Sequence, residues 1–506
     1  MTTGLLLFAS MPPIDLGWTA FVALVPLLWA WRGTRPRRAA GYAFLAGCVY
    51  FSLLLSWVFF FGPFAVVPFV AALAGYWALI GMGVAWLERL GVRSPWVTAA
   101  LWVTAEAAMG RLPLGGFSWG EVGYAFHGVG TVRILASWGG VLAISFVVVA
   151  VNALLLDVWW ALERRRSGAG AGGGDRRGLL GAAGGLVAIL VVTTGLYVAR
   201  FEPEPTGELS YALVQANDIN RDLTDAEFNA RYLPRRHLAE AEAFEGDVDL
   251  IVIPESGLDW DPRRDPGYPG DDLGSPGNEL GAIEDELGAL ARSHDAAVLS
   301  NASVNVSGDK LENTNFLYDP DGTLQGTYVK RHLVPFGEYV PGRAYLDWIG
   351  PLEQVSRDNV SGDEVGLFEV AGHQVGNVIC FESAFGSTYR DTVEAGAEIV
   401  VVQTNNRSYR RSANTEQHIA LSQMRAVETG RPVLHASVSG VTAVISADGT
   451  IEATTPIFET VVLAGTATTM TGETPYLRFG DWVVWLSILV VLVAFGFGLF
   501  THRKRP

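Results

Sequence analysis

Three residues that close apolar runs have side chains suited to acyl chemistry. Glu255 closes "LIVIPE", Lys330 closes "GTYVK" and Cys380 closes "VGNVIC". Apolar, β-branched runs bounded by Gly, Pro and Asp predict strands. Active sites of open α/β sheets gather at the carboxyl ends of strands. A thiolate is a strong nucleophile, but a free thiol ionises only near pH ~8.5 and needs a base or a nearby cation. A carboxylate can take its proton. An ammonium can hold the thiolate and stabilise the oxyanion that forms when a carbonyl is attacked. Glu, Lys and Cys together therefore suit acyl transfer through a thioester. Each residue also has an ordinary alternative. Cysteine is often a small core hydrophobe, Glu255 could be a surface charge, and Lys330 a solvated strand end. Residue usage bears on the choice. There are three lysines, Lys310, Lys330 and Lys504, and two cysteines, Cys48 and Cys380. Cys48 lies inside a long apolar segment, out of reach of Cys380, so Cys380 is a lone thiol in its part of the chain.

The surroundings of these residues divide sharply by charge. From Phe201 to Gly480 there are 44 acidic and 19 basic residues, and the remainder of the 506 has 8 acidic and 17 basic. The acidic block lacks the basic face that nucleic-acid binding needs. Outside it the chain is strongly apolar. Segments at 17–32, 41–61, 65–88, 94–110, 131–160, 179–199 and 481–501 approach or exceed the roughly 20 residues that cross a hydrocarbon core, and a shorter one, "GLLLFASM", precedes them. Positive charge collects in "RGTRPRR", "ERLGVR", "ERRRSGAGAGGGDRR" and "THRKRP". Short positive loops stay in the cytoplasm, and counting helices puts all four on that side. The expected organisation is a transmembrane domain over 1–200 with six to seven helices, an extracytoplasmic domain over 201–475, and a C-terminal helix with a basic tail over 480–506. "GAGAGGG" follows no strand and opens no helix, so it reads as a linker and not a phosphate loop. Glu106 lies within an apolar segment, where a carboxylate is either a structural hydrogen-bonding group or a substrate contact.

Between about 209 and 468, β-rich runs alternate with amphipathic helical ones such as "NELGAIEDELGALARSH" and "TEQHIALSQMRAVETG". That alternation predicts an α/β domain of layered sheets and helices.

In this order and spacing, "PESGLDW", "YVKRHLVPFGEYVP" and "GNVICFES" resemble the nitrilase superfamily. With a multi-helix part before the domain and one helix after it, the whole chain resembles the apolipoprotein N-acyltransferase family within it. "KRHLVPFGEYVP" is the most specific motif. The resemblance implies an αββα sandwich with Glu255 as general base, Lys330 as oxyanion-stabilising cation and Cys380 as nucleophile. It implies that Glu338 orients Lys330 and the tetrahedral intermediate, and that Glu382 supports the nucleophile's loop. The implied reaction is ping-pong. A phospholipid gives an acyl chain to Cys380, which passes it to the α-amine of a lipoprotein's diacylglyceryl-cysteine. A bacterial plasma-membrane location, a monomer, no nucleic-acid partner, no cofactor and no metal are also implied. The eight histidines form no His-x-x-His or His-x-x-x-His pair.

"AYLDWIGPLEQV" carries Tyr345, Trp348 and Ile349 and is either a segment that dips into the lipid interface or an ordinary core segment. The chain departs from the family pattern in two places. "NNRSYRRSANTEQH" has Arg407, Ser408 and Tyr409 where the family usually shows an aromatic-Gly pair, with Tyr409 a candidate lipid contact. "DINRDLTDAE" after "VQAN" offers no tryptophan. Two rival functions remain at this level. A membrane-tethered amidase would hydrolyse a small amide with the same three residues, yet would need only one anchor. A transporter with a sensing domain would show Gly/Pro-broken helices in paired halves, a pattern not visible here.

Overall fold

The computed structural model describes residues 1–167, 173–217, 232–258, 282–306, 310–346, 352, 355, 357–409 and 411–503. They form two compact units, Met1–Glu202 with Glu473–Pro506, and Pro203–Gly472.

The first unit is helical: Thr2–Ala9 (α1), Ala20–Ala23 (α2), Val25–Trp31 (α3), Pro36–Leu54 (α4), Pro63–Arg89 (α5), Pro95–Met109 (α6), Gly130–Arg133 (α7), Ala136–Arg166 (α8) and Gly173–Val198 (α9). Apolarity alone overestimates how many of these are single long helices. The segment expected as one helix over 17–32 is a 3-10 turn followed by α2 and α3, broken at Leu24. Pro26 explains the break, since its ring crowds the preceding turn and it has no N–H to give. Asn152 of α8 repairs the loose ends. Its Oδ1 accepts from Leu24 N at 2.9 Å and Val25 N at 3.2 Å, and its Nδ2 donates to the Ala20 carbonyl at 2.8 Å. The segment expected over 41–61 likewise ends as a helix at Leu54 and continues as a 3-10 turn over Ser56–Phe61. In α8, Gly139 and Gly140 leave helical geometry, Gly140 with φ +71°, a value that glycine adopts without strain. Among the described residues, four helices are long and apolar enough to cross a membrane, over 65–89, 136–166, 176–198 and 482–503.

The second unit contains twelve strands among its described residues. In chain order they are Glu204–Gln215 (β1), Leu250–Val252 (β2), Ala297–Val306 (β3), Lys310–Tyr318 (β4), Leu324–Val329 (β5), Leu367–Val370 (β6), His373–Ile379 (β7), Ile399–Thr404 (β8), Val433–Ser437 (β9), Ala443–Ile445 (β10), Ile451–Thr454 (β11) and Val461–Thr471 (β12). Tyr232–Glu242 (α10), Ala282–His294 (α11), Arg343–Leu346 (α12), Gly386–Glu394 (α13) and Asn414–Thr429 (α14) lie between them. The chain returns to the first unit through Pro475–Phe479 (α15) and Trp482–Arg503 (α16).

The strands build two six-stranded sheets, ordered β12-β1-β2-β3-β4-β5 and β11-β10-β9-β8-β7-β6. Successive side chains point to opposite faces, and the contents of each layer follow. Leu209, Tyr211 and Leu213 of β1 join Leu250, Val252 and Leu299 in a core shared with Val375, Ile379, Val401 and Leu434 of the second sheet. The alternate residues Ala212, Val214, Ile251 and Val298 pack instead on Leu238 of α10 and on Leu287 and Leu290 of α11. Val378, Val400 and Val402 pack on Tyr389 of α13 and Ile419 of α14. The architecture is an αββα sandwich. Its central strands are buried on both faces, which is why they read as unbroken apolar runs. The continuous run "RPVLHASVSGVTAVIS" turns between β9 and β10, and the short strands β6 and β11 carry no marked strand pattern.

Candidate active site

Each of the three strand-end residues sits just beyond its strand. Lys330 follows β5 directly, Cys380 follows β7 directly, and Glu255 lies three residues past β2. Cys380 has φ +50° and begins a 3-10 turn over Cys380–Ala384. A non-glycine residue in this left-handed region is strained and needs its surroundings to hold it.

The structure brings Glu255, Lys330 and Glu338 together. Lys330 is 1% exposed. Its Nζ donates to Glu338 Oε1 at 2.9 Å and to Glu255 Oε1 at 3.3 Å. Asn313 of β4 ties the two carboxylates to each other, donating from Nδ2 to Glu255 Oε1 at 2.8 Å and to Glu338 Oε1 at 3.2 Å. The remaining oxygens are held by backbone. Glu255 Oε2 accepts from Asn405 N at 2.9 Å, just past β8, and Glu338 Oε2 accepts from Val334 N at 2.8 Å. A buried lysine normally loses its proton more readily. Here burial does push the ammonium down, but the Glu338 and Glu255 carboxylates outweigh it and hold Lys330 well above the usual lysine range. Lys330 is therefore a fixed cation.

Cys380 is partly buried, and electrostatics connect it to the same cluster. Burial, then the Glu255 carboxylate, push its thiol up to about 12, while Lys330 and the Thr404 hydroxyl act in the opposite direction. The resting sulfur is protonated, beside a carboxylate able to take that proton.

Glu382 is fully buried two residues after Cys380. It accepts from Ile379 N at 2.8 Å, Arg331 N at 2.7 Å, His332 N at 3.1 Å and Tyr328 Oη at 2.9 Å. One carboxylate thereby fastens the turn of Cys380 to the loop of Lys330, and each of these contacts is a charge-assisted hydrogen bond.

The chain matches a family model described as Apolipoprotein N-acyltransferase N-terminal domain over residues 3–154, and one described as Carbon-nitrogen hydrolase over residues 211–476. An apolipoprotein N-acyltransferase of Methylococcus capsulatus is 30% identical, with 95% of this chain and 92% of the relative covered. One from Nitrosomonas europaea is 30% identical, covering 96% and 93%, and one from Geobacter metallireducens is 28% identical, covering 96% and 92%. The chain belongs to the apolipoprotein N-acyltransferase family. Among solved structures, an amidase of the nitrilase superfamily from Nesterenkonia is similar over 56% of this chain and 99% of its own, with 17% identity and a TM-score of 0.40.

In this apolipoprotein N-acyltransferase family member the remaining candidates fall in different places. Tyr409 lies on a 3-10 turn over Arg407–Tyr409. Burial pushes its phenol upward, reinforced by Cys380 and Glu255, so it shares the field of the cluster. Tyr345, on α12, is 84% exposed. Trp348 and Ile349 lie outside the described residues. Glu106 belongs to the other unit. Its Oε1 accepts from Trp102 Nε1 and Val122 N, both at 2.9 Å, which anchors the 3-10 turn over Val122–Phe126 and favours its structural reading.

Sequence reasoning did not single out Asn313, Thr404 or His418. A signal for the first existed. In "ENTNF", Asn313 and Asn315 stand two apart and so share one face of a strand that is buried from Asn313 onward. Thr404 and His418 carry no local sign, because what brings them to Cys380 is the pairing of β8 with β7 and the packing of α14 over them.

Proposed function

We propose that the protein transfers a fatty acyl chain from a phospholipid to the α-amine of the N-terminal diacylglyceryl-cysteine of bacterial lipoproteins, through a thioester on Cys380. The observation that carries this reading is the closed charge cluster beside Cys380, in a chain whose described residues include four helices of membrane-spanning length. Glu255 takes the thiol proton as the sulfur attacks the ester carbonyl of the phospholipid. Lys330, kept cationic by Glu338, stabilises the tetrahedral oxyanion, and a preorganised buried cation does this without reorganising at the moment of reaction. The proton on Glu255 leaves with the lysophospholipid hydroxyl. In the second half the acceptor amine attacks the thioester and loses a proton to Glu255, and the expelled sulfur takes that proton back from Glu255 as a thiol, which completes a ping-pong cycle. Family membership supports both the acceptor and the lipid donor. The arginine-rich segments support a position of the catalytic unit on the outer face of the plasma membrane.

The test uses the full chain in vesicles whose phospholipid carries a labelled acyl chain. Label should attach to Cys380 as a hydroxylamine-sensitive thioester, vanish in Cys380→Ala, and move to a diacylated lipopeptide when one is added. A folded protein that takes no label but hydrolyses small amides would refute lipid transfer in favour of an amidase.

A further inference from the structure

Behind Cys380 lies a buried polar pair that the chemistry above leaves unused. Thr404, the last residue of β8, is fully buried, and His418 of α14 is 2% exposed. Imidazole Nε2 lies 3.1 Å from the Cys380 carbonyl oxygen and 2.5 Å from Ser383 Oγ, while Nδ1 lies 3.4 Å from Thr404 Oγ1. A carbonyl oxygen only accepts, so this geometry puts the ring proton on Nε2, where it holds the strained backbone of Cys380. Nδ1 is then bare and accepts from Thr404. Burial lowers the His418 pKa to about 4, so the ring is neutral at physiological pH. His435 stands edge-on to it at 4.8 Å, also driven toward its neutral form by burial.

The Thr404 hydroxyl has one proton. His418 Nδ1 and, at 3.3 Å, Asn406 Oδ1 are acceptors for it, and the pairing of Gln403 with Ile379 sets Thr404 beside Cys380, where its hydroxyl favours the ionised sulfur. Asn406 Oδ1 already accepts from Ser437 Oγ at 3.1 Å, and its amide is oriented by an Nδ2 bond to Asn414 Oδ1 at 2.8 Å. An amide oxygen has two lone pairs, so the ring nitrogen and Asn406 Oδ1 together compete with the sulfur for the Thr404 proton.

We propose that Thr404 is a swinging hydroxyl donor to the Cys380 sulfur and that His418 is the positioning residue that parks it. With the thiol protonated, Thr404 donates to Nδ1. When Glu255 removes the thiol proton, the hydroxyl turns about its Cβ–Oγ bond and donates to the thiolate, because a charged acceptor outcompetes a neutral one. No atom leaves and no proton changes owner in this step. The same donor receives the sulfur when it departs from the thioester. This rests on Cys380 being the nucleophile.

The test uses the full chain, with Cys48→Ala throughout, in phospholipid vesicles. Two rates are read: single-turnover acylation of Cys380 from labelled phospholipid, and alkylation by iodoacetamide from pH 7 to 10. Thr404→Val should slow acylation by about 10- to 100-fold, the value of one hydrogen bond to a charged group, and should slow alkylation at each pH. Thr404→Ser should restore both to within about threefold. His418→Gln keeps a donor for the Cys380 carbonyl but removes the ring acceptor, so the Thr404 proton is freed for sulfur and alkylation should become faster. A purely structural role would slow the Thr404→Val and His418→Gln variants together. That result, or native rates in Thr404→Val, overturns the proposal. If Thr404→Val does not fold, Thr404→Ala reads the same loss. Label persisting in Cys380→Ala would instead overturn the nucleophile assignment. Label lost there, with indifferent Thr404 variants, would overturn only the swinging donor.

Discussion

Cys380 rests as a thiol that the surrounding protein makes hard to ionise. Its pKa of about 12 leaves a thiolate fraction on the order of one in 10,000 at pH 8. The direction follows from burial and the Glu255 carboxylate, which outweigh the help from Lys330. Free sulfur chemistry should therefore be slow at neutral pH. In a Cys48→Ala background, iodoacetamide alkylation of Cys380 should rise about tenfold per pH unit from pH 8 to 11. A plateau near pH 9 would mean that the thiol is unperturbed. Acyl transfer should not follow that slope, because inside the site the proton has only to reach Glu255. The two pH profiles, measured on one preparation, separate a nucleophile activated on demand from one that is always ionised.

At the scale of elements, strand ends and one asparagine do most of the positioning. β5 and β7 deliver Lys330 and Cys380, and Glu382 locks their two loops with backbone bonds from both. In the helical unit, Asn152 does the analogous work for the break between α2 and α3. Its side chain satisfies two backbone donors and one acceptor that a continuous helix would have paired, and it is fully buried. Asn152→Leu would leave those groups without their partner in an apolar setting. The expected loss is about 2–4 kcal/mol, read as a lower unfolding midpoint of the full chain in detergent. An unchanged midpoint would mean that α2 and α3 re-form their own bonds.

At the scale of the whole molecule, charge distribution makes a topological prediction. The acidic block over 201–480 and the arginine-rich segments belong on opposite sides of the bilayer if the positive-inside rule holds. In a Cys48→Ala background, an impermeant maleimide applied to intact cells should label a cysteine at the exposed Glu452 of the second unit. It should not label one at the exposed Ser167, beside the arginines that end α8. Labelling of Ser167→Cys alone would invert the orientation and place the site on the inner leaflet side.

The amino-acid sequence by itself determined the layering and most of the site. Strands buried on two faces must be continuous apolar runs, and the residues that close those runs must emerge at strand ends. Glu255, Lys330 and Cys380 were legible for that reason, as was an α/β domain of layered sheets and helices, while the αββα order and the assignment of chemistry drew on motif resemblance. Only the tertiary structure decided which polar groups meet. Asn313 bridges two carboxylates because β4 is hydrogen-bonded beside β5, and Thr404 and His418 reach Cys380 because β8 pairs with β7 while α14 packs over them. These contacts join residues far apart in the chain, and no local pattern encodes them. The helix break at Leu24 belongs to the same class. Hydropathy registers how apolar a segment is, whereas the break depends on Pro26 together with Asn152, 128 residues away from Leu24.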